Sequence, residues 1–266
     1  MDLNTIFGYF GALLIGVVLG LIGGGGSILT VPVFVYLFSL NPITATAYSL
    51  FVVGVSSAFG TIKNIQKHLV NFKVALVFTV PAFTAVYLTR RFILPAIPEN
   101  LFVINNYVVT KDMAIMTLFA IMMLLAAGTM LKKKKVSDVT QEPVKLNYFL
   151  IFNQAIIIGL FTGLVGAGGG FIIIPALIAL ANLPMKEAVG TSLLIIAINS
   201  LIGFTGDFGH LDVDWLFLLG FTALAVIGIF IGTYMSNFID GKKLKKGFGW
   251  FVLFMGIYIL YKELTV

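Results

Sequence analysis

Apolar residues gather along this chain in ten blocks, parted by short polar or glycine-rich stretches. Within a block they neither alternate nor hold to a single helical stripe. Five blocks fill the first half, at about 5–22, 27–39, 44–62, 72–94 and 112–131. Five fill the second, at about 148–165, 170–182, 187–205, 214–237 and 246–262. A helix needs about 20 mostly apolar residues to cross a bilayer, so the long blocks read as spans. The second block of each set is short, and a glycine cluster parts it from the first. Such a pair is either two tilted spans or a re-entrant hairpin. The pattern predicts an all-α integral membrane protein.

The two sets are copies. At an offset of 143 positions, 14 of the 45 residues between 16 and 60 are identical, among them Gly16/Gly159, Gly23/Gly166, Pro32/Pro175, Ser49/Ser192 and Gly60/Gly203. Chance would give about 3 or 4. The expected organisation is a first membrane repeat at 1–131, a basic cytoplasmic linker at 132–147 and a second repeat at 148–266.

The basic residues choose between the topologies. If each glycine-linked pair goes across and back, one side receives 13 of the 17 Lys and Arg residues, including Lys63, Lys67, Lys132 to Lys135 and Lys242 to Lys246. If each pair is one interrupted span, the split is 9 to 8. Cytoplasmic loops carry the excess of basic residues, which favours the first arrangement, with both termini outside. Each half then crosses an odd number of times, so the copies enter from opposite sides as an inverted repeat. Many secondary transporters share this plan, with a substrate site where discontinuous helices meet.

Composition narrows the chemistry. Only 11% of residues are charged, too few to cover a water-facing surface. The net charge of +6 comes from short lysine runs between apolar blocks, so it reads as topology and not as a nucleic-acid patch. There is no cysteine and only two histidines, so disulfides, thiol redox chemistry, thiolate metal sites and a histidine-based metal cage are not expected. The chain start lacks a basic signal segment, so the first block is expected to stay in place.

The sharpest local features are Gly23-Gly24-Gly25-Gly26-Ser27 and Gly166-Ala167-Gly168-Gly169-Gly170. Each glycine costs a helix interior about 1 kcal/mol relative to alanine, so these runs predict helix breaks. The freed amides at the start of the following segment would suit an anion, and two inverted breaks would converge. The competing explanation is close helix packing, which is the reading for the isolated Gly16, Gly20, Gly159 and Gly163. The third block of each half adds aligned polar residues: Tyr48, Ser49, Ser56 and Ser57, then Thr191, Ser192, Asn199 and Ser200. Their spacing of seven or eight puts them on one helix face. The candidate substrate-binding set is therefore Gly24, Gly25, Gly26, Ser27, Ser49, Ser56, Ser57, Gly168, Gly169, Gly170, Ser192, Asn199 and Ser200. Helix–helix hydrogen bonding is the plainer reading for any single serine. No carboxylate sits at the centre of a block, which favours an anion over a cation as cargo. The loops after the third blocks hold Lys63, His68, Asp207 and His210, which are either gating groups or solvated loop positions.

The duplicated glycine cluster, the following apolar run with Pro32 or Pro175, the Ala-x-x-x-Ser-Leu stretch (Ala45 to Leu50, Ala188 to Leu193) and the loop Gly209-His210-Leu211-Asp212-Val213-Asp214-Trp215 resemble the TauE/SafE family of sulfite and sulfonate exporters. The resemblance implies a multi-pass permease of the inner cell membrane with no bound cofactor. It would move sulfite, sulfoacetate or related organosulfonates, with the glycine turns cradling the anionic head. Ala167 stands where the first copy has Gly24, so the two turns are not expected to be equivalent. The loop His68-Leu69-Val70-Asn71-Phe72 lacks the acidic residues of its counterpart, which argues against one shared role. Partners are then a small anionic solute and the bilayer, with a homodimer admitted and no nucleic acid. The rival readings are a carrier or channel for a carboxylate or inorganic anion, an intramembrane enzyme, and a membrane subunit serving only assembly. The last two lack a nucleophile–base pair or any need for paired glycine breaks.

Overall fold

A computed structural model describes residues 3–104, 107–131, 148–208, 211–236, 238 and 241–265. The expected linker at 132–147 and His210 lie outside the described residues. Helix α1 (Leu3–Ile22) ends at Gly23 and is followed by a 3-10 turn (Gly24–Leu29) and α2 (Thr30–Tyr36). Next come α3 (Pro42–Gln66) and α4 (Phe72–Leu88), which continues through a π segment (Thr89–Ile93) into α5 (Leu94–Ala96). An antiparallel hairpin, β1 (Asn100–Ile104) with β2 (Tyr107–Thr110), leads to α6 (Lys111–Leu131). The rest is α7 (Tyr148–Val165), α8 (Gly170–Leu180), α9 (Met185–Gly206), α10 (Trp215–Met235) and α11 (Gly241–Thr265). The sequence pattern did not foresee the β-hairpin, which sits in what reads as a plain loop.

Five described helices are long and apolar enough to cross a membrane: Pro42–Gln66, Phe72–Ala96, Lys111–Thr129, Met185–Gly206 and Trp215–Met235. Shorter apolar helices cover Phe7–Ile22, Gly24–Tyr36 and Phe149–Val165. The chain reverses at the first glycine cluster. A Cβ on Gly26 would meet Leu19 and Ile15 of α1, one on Gly11 would meet Val33, and one on Gly8 would meet Phe38. The segment after Gly23 therefore runs back along α1 as the second arm of a hairpin.

Glycine governs how the helices approach. Gly16 and Gly20 face Ala225, Gly228, Ile229 and Thr233, so α1 and α10 lie parallel with backbones in contact. Gly159 and Gly163 face Ala82, Ala85, Val86 and Thr89, which sets α7 along α4 in the same way. The packing role expected for the isolated glycines is what these contacts show. Lipid offers apolar helices no hydrophobic reason to associate, so close approach at small residues supplies the dispersion contacts. Helices α3 and α9 cross antiparallel: Gly54 meets Leu201, while Leu50 meets Gly203 and Leu193 meets Gly60.

The starts of α4 and α10 are built alike. Asn71 caps α4 by accepting from the Val74 amide at 3.1 Å, and Asp214 caps α10 by accepting from the Phe217 amide at 3.1 Å. Each capping residue is pinned to a third-block helix. The Asn71 amide donates to Thr191 Oγ1 at 2.9 Å, and the Asp214 amide donates to the Tyr48 hydroxyl at 2.7 Å. These four residues pair up at the 143-residue offset. The two loops thus share one structural role despite their different charge, because an amide oxygen caps a helix as a carboxylate does.

Gly228→Val in α10 would drive its branches into Leu13 and Val17 of α1, whereas Gly220 of the same helix has nothing within 4 Å of a Cβ. The expected result is a loss of about 1–3 kcal/mol for the first and no loss for Gly220→Val, read as thermal unfolding midpoints in detergent. Equal midpoints would refute the backbone contact.

Candidate functional site

The two glycine turns meet. A Cβ on Gly24 would stand 2.6 Å from both the Gly170 carbonyl carbon and Ile196 Cδ1, and one on Gly170 would stand 2.6 Å from the Gly24 oxygen. Gly24, Gly25, Gly26 and Ser27, and likewise Gly168, Gly169 and Gly170, are all buried. The turns differ in detail, as Ala167 suggests. The first takes a left-handed conformation only at Gly23 (φ 76°), the second at Gly166, Gly168 and Gly169 (φ 71°, 65° and 68°). Those signs explain the glycines, since a side chain at positive φ is strained. Among the described residues, the amides of Gly168 and Gly169 make no backbone hydrogen bond.

Against these turns lie the polar faces of α3 and α9. Gly23 abuts Ser192, with Oγ 3.4 Å from its would-be Cβ, and Gly168 abuts Ser200 Oγ at 3.0 Å and Val53. Ser192 and Ser200 sit two turns apart on one face of α9, with Ile196 between them against both Gly24 and Gly170. Helix α3 presents the matching face of Ser49, Val53 and Ser57, spaced by four.

The side-chain oxygens divide into two groups. Ser27 Oγ donates to the Gly24 carbonyl at 2.7 Å and Ser192 Oγ to the Val189 carbonyl at 2.8 Å, so both are held by their own turns. Ser49, Ser56, Ser57 and Ser200 are fully buried and Asn199 is 1% exposed. Their Oγ atoms, and Asn199 Oδ1, have no hydrogen-bond partner. Buried polar atoms are paired in the great majority of cases, and a mid-helix serine usually bonds the carbonyl of the preceding turn. Five such atoms on two facing helices are therefore a departure that asks for a ligand.

The expected gating residues scatter. Lys63 is exposed, with Nζ 6.0 Å from the Phe230 ring, and His68 is exposed in a left-handed turn (φ 56°). Asp207 is different. It is 6% exposed at the end of α9, and its Oδ1 lies 3.6 Å from Arg90 Nη1. Arg90 is itself fully buried, a cation inside the fourth apolar block that the sequence pattern does not single out. The helix does not stop there. It runs on through the π segment to Ala96 and draws Arg90 inside. Arg91 donates from Nη1 to the Phe208 carbonyl at 2.9 Å. A cavity of about 380 Å³ opens elsewhere, on α7 and α8 at Gln154, Ile158, Ile172 and Pro175. Its lining is too apolar to serve an anion. No group of three His, Cys, Asp or Glu residues able to hold a metal occurs among the described residues.

The family model described as "Sulfite exporter TauE/SafE" matches residues 9–259. A "Probable membrane transporter protein" of Xylella fastidiosa is 27% identical over 253 residues, covering 94% of this chain and 92% of its own. "Probable membrane transporter protein YunE" of Bacillus subtilis is 26% identical over 265 residues, covering 94% and 95%. "Probable membrane transporter protein MJ0441" of Methanocaldococcus jannaschii is 33% identical over 127 residues, covering 44% and 47%. No solved structure matches the chain. The chain belongs to the TauE/SafE family of membrane transporters and is a transporter, not an enzyme.

An unsatisfied buried hydroxyl costs about 1–3 kcal/mol. Ser57→Ala and Ser200→Ala should therefore leave the ligand-free protein as stable as wild type or more so, with unfolding midpoints unchanged or raised. Midpoints lowered by several degrees would mean that these hydroxyls carry packing bonds.

Proposed function

We propose that this TauE/SafE member is a permease for small oxyanions, sulfite or organosulfonates such as sulfoacetate, working by alternating access around the paired glycine turns. The single observation that carries this reading is the set of five unpartnered oxygen-bearing side chains on α3 and α9, with Ser200 against Gly168 of the second turn. A serine hydroxyl rotates freely and can donate, and an amide can turn its NH2 inward. Together with the free amides at the start of α8, such groups hold a sulfonate head through dipoles in a water-poor site. Neutral donors suit transport, because a bound anion that is not locked to a full countercharge can leave again.

The antiparallel crossing of α3 and α9 supports an inverted repeat, since these are equivalent members of the two copies. The helix pairing supports it too. The parallel neighbours α1 with α10 and α4 with α7 exchange under the 143-residue offset. On this reading the repeats 1–131 and 148–266 enter an inner cell membrane from opposite faces. The 132–147 linker is then cytoplasmic, and each glycine turn ends a hairpin near mid-depth. A carboxylate or inorganic oxyanion would fit the same dipoles, and transport separates the two cargo classes.

In proteoliposomes, saturable uptake of sulfite or sulfoacetate is expected over acetate and phosphate. Gly168→Val should abolish it, because φ is 65° there and a Cβ would press on Ser200. Uptake of acetate alone would keep the permease and discard the sulfonate. Because the chain has no cysteine, single substitutions report topology directly. An impermeant maleimide added to whole cells should label Asp212→Cys, and should reach Lys67→Cys only after permeabilisation. Labelling of Lys67→Cys in intact cells would overturn the proposed orientation.

A further inference from the structure

Among the described residues, Arg90 is the largest with a fully buried side chain, and nothing in the serine–glycine site explains it. It lies in the π segment Thr89–Ile93, a helix irregularity that recurs at functional sites. A guanidinium carries five N–H donors in a planar fork. Here Nε, Nη1 and Nη2 make no hydrogen bond, and the ion pair to Asp207 is a single approach of 3.6 Å. That is attraction without a hydrogen bond. An arginine kept for structure alone would be expected to fill its fork, since a buried pair repays its desolvation only with good geometry and satisfied donors. An empty fork fits a bidentate oxyanion.

Its place in the fold connects it to the site. A Cβ on Gly206 would lie 2.8 Å from Arg90 Cβ, and Gly206 is six residues beyond Ser200, about 9 Å along α9. The adjoining Thr89 packs on Gly163, three residues before the turn at Gly166. The guanidinium, held toward Asp207 at the end of α9, therefore lies beyond the serine–glycine site on the same helix pair. The repeat-related position has no such charge. At the 143-residue offset Arg90 corresponds to Thr233 and Asp207 to Asn64. Thr233 is buried with an unpartnered Oγ1, and Asn64 donates to the Gly60 carbonyl at 2.8 Å. A scaffold built in two like halves thus carries a buried cation at one end only.

We infer that Arg90 is a second, charged site for the same oxyanion, and that Asp207 is the internal ligand an arriving anion displaces. The inference rests on the oxyanion-permease reading and deepens it. The anion meets a full charge at the α9 end and a neutral cradle beyond it, and the carboxylate keeps the cation from trapping the anion. Competition by Asp207 weakens apparent affinity and leaves exit possible.

The test compares sulfite uptake by wild type, Asp207→Asn, Arg90→Lys and the doubly neutral Arg90→Gln/Asp207→Asn in proteoliposomes. The double variant removes both charges of the pair together. Removing the competitor should lower the KM of Asp207→Asn by about tenfold. The double variant should raise KM by about tenfold or more, and Arg90→Lys should fall between it and wild type. Wild-type KM in both Asp207→Asn and the double variant would make the pair structural and overturn the second site while leaving the permease reading intact. A double variant that does not fold would overturn it in the same way. A wild-type protein that takes up no oxyanion would overturn the permease reading itself, and the second site with it.

Discussion

The structure depends on one contact that tolerates no methyl group, the touching backbones of Gly24 and Gly170. Each hairpin tip reaches the other only because neither carries a side chain there. The same device recurs outward, where Gly16, Gly20, Gly228 and Gly232 join α1 to α10, and Gly159 and Gly163 join α7 to α4. In a bilayer this is how helices gain contact area, since apolar side chains already have apolar neighbours in the lipid. Around this contact the glycines meet α9 hydroxyls, Gly23 against Ser192 and Gly168 against Ser200.

Much of this was legible in the sequence, and the reason is physical. Breaks need glycine, spans need apolar length, and a duplicated pattern constrains both copies at once. The positions of the long helices, the meeting of the two clusters and the polar faces around Ser57 and Ser200 all follow from those constraints. The finer assignment of polar groups does not. Ser27 and Ser192 spend their hydroxyls on carbonyls three residues back, while Ser49 and Ser57 do not, and spacing cannot tell a satisfied hydroxyl from an orphan. Tyr48 and Thr191 align with the lining residues yet serve as anchors for the caps of α10 and α4.

Arg90 was hidden by its surroundings. The pair Arg90-Arg91 falls inside the fourth apolar block, 72–94, and Arg91 is half-buried and donates to the Phe208 carbonyl. One residue earlier the π segment turns the side chain inward, where it meets Asp207. Whether a charge at a helix end faces water or protein depends on helical phase, and one extra residue per turn changes that phase. Local sequence does not report it. The β-hairpin that follows was missed for a related reason. Its strands alternate too briefly, and stand too close to apolar spans, to give a signal of their own.

The two polar sites differ in what the empty protein must bear. Four serine hydroxyls and one amide oxygen without partners leave the ligand-free protein with a desolvation cost. A ligand that satisfies them would offset that cost. A bare guanidinium would be far more costly to bury and far stickier once occupied, which is why the cation comes with a carboxylate at hand and the serines do not. A symmetric scaffold would treat its two faces alike. Replacing a Thr–Asn pair with an Arg–Asp pair at one end is the least change that makes the faces different, because it alters charge while leaving the glycine contacts of both halves untouched.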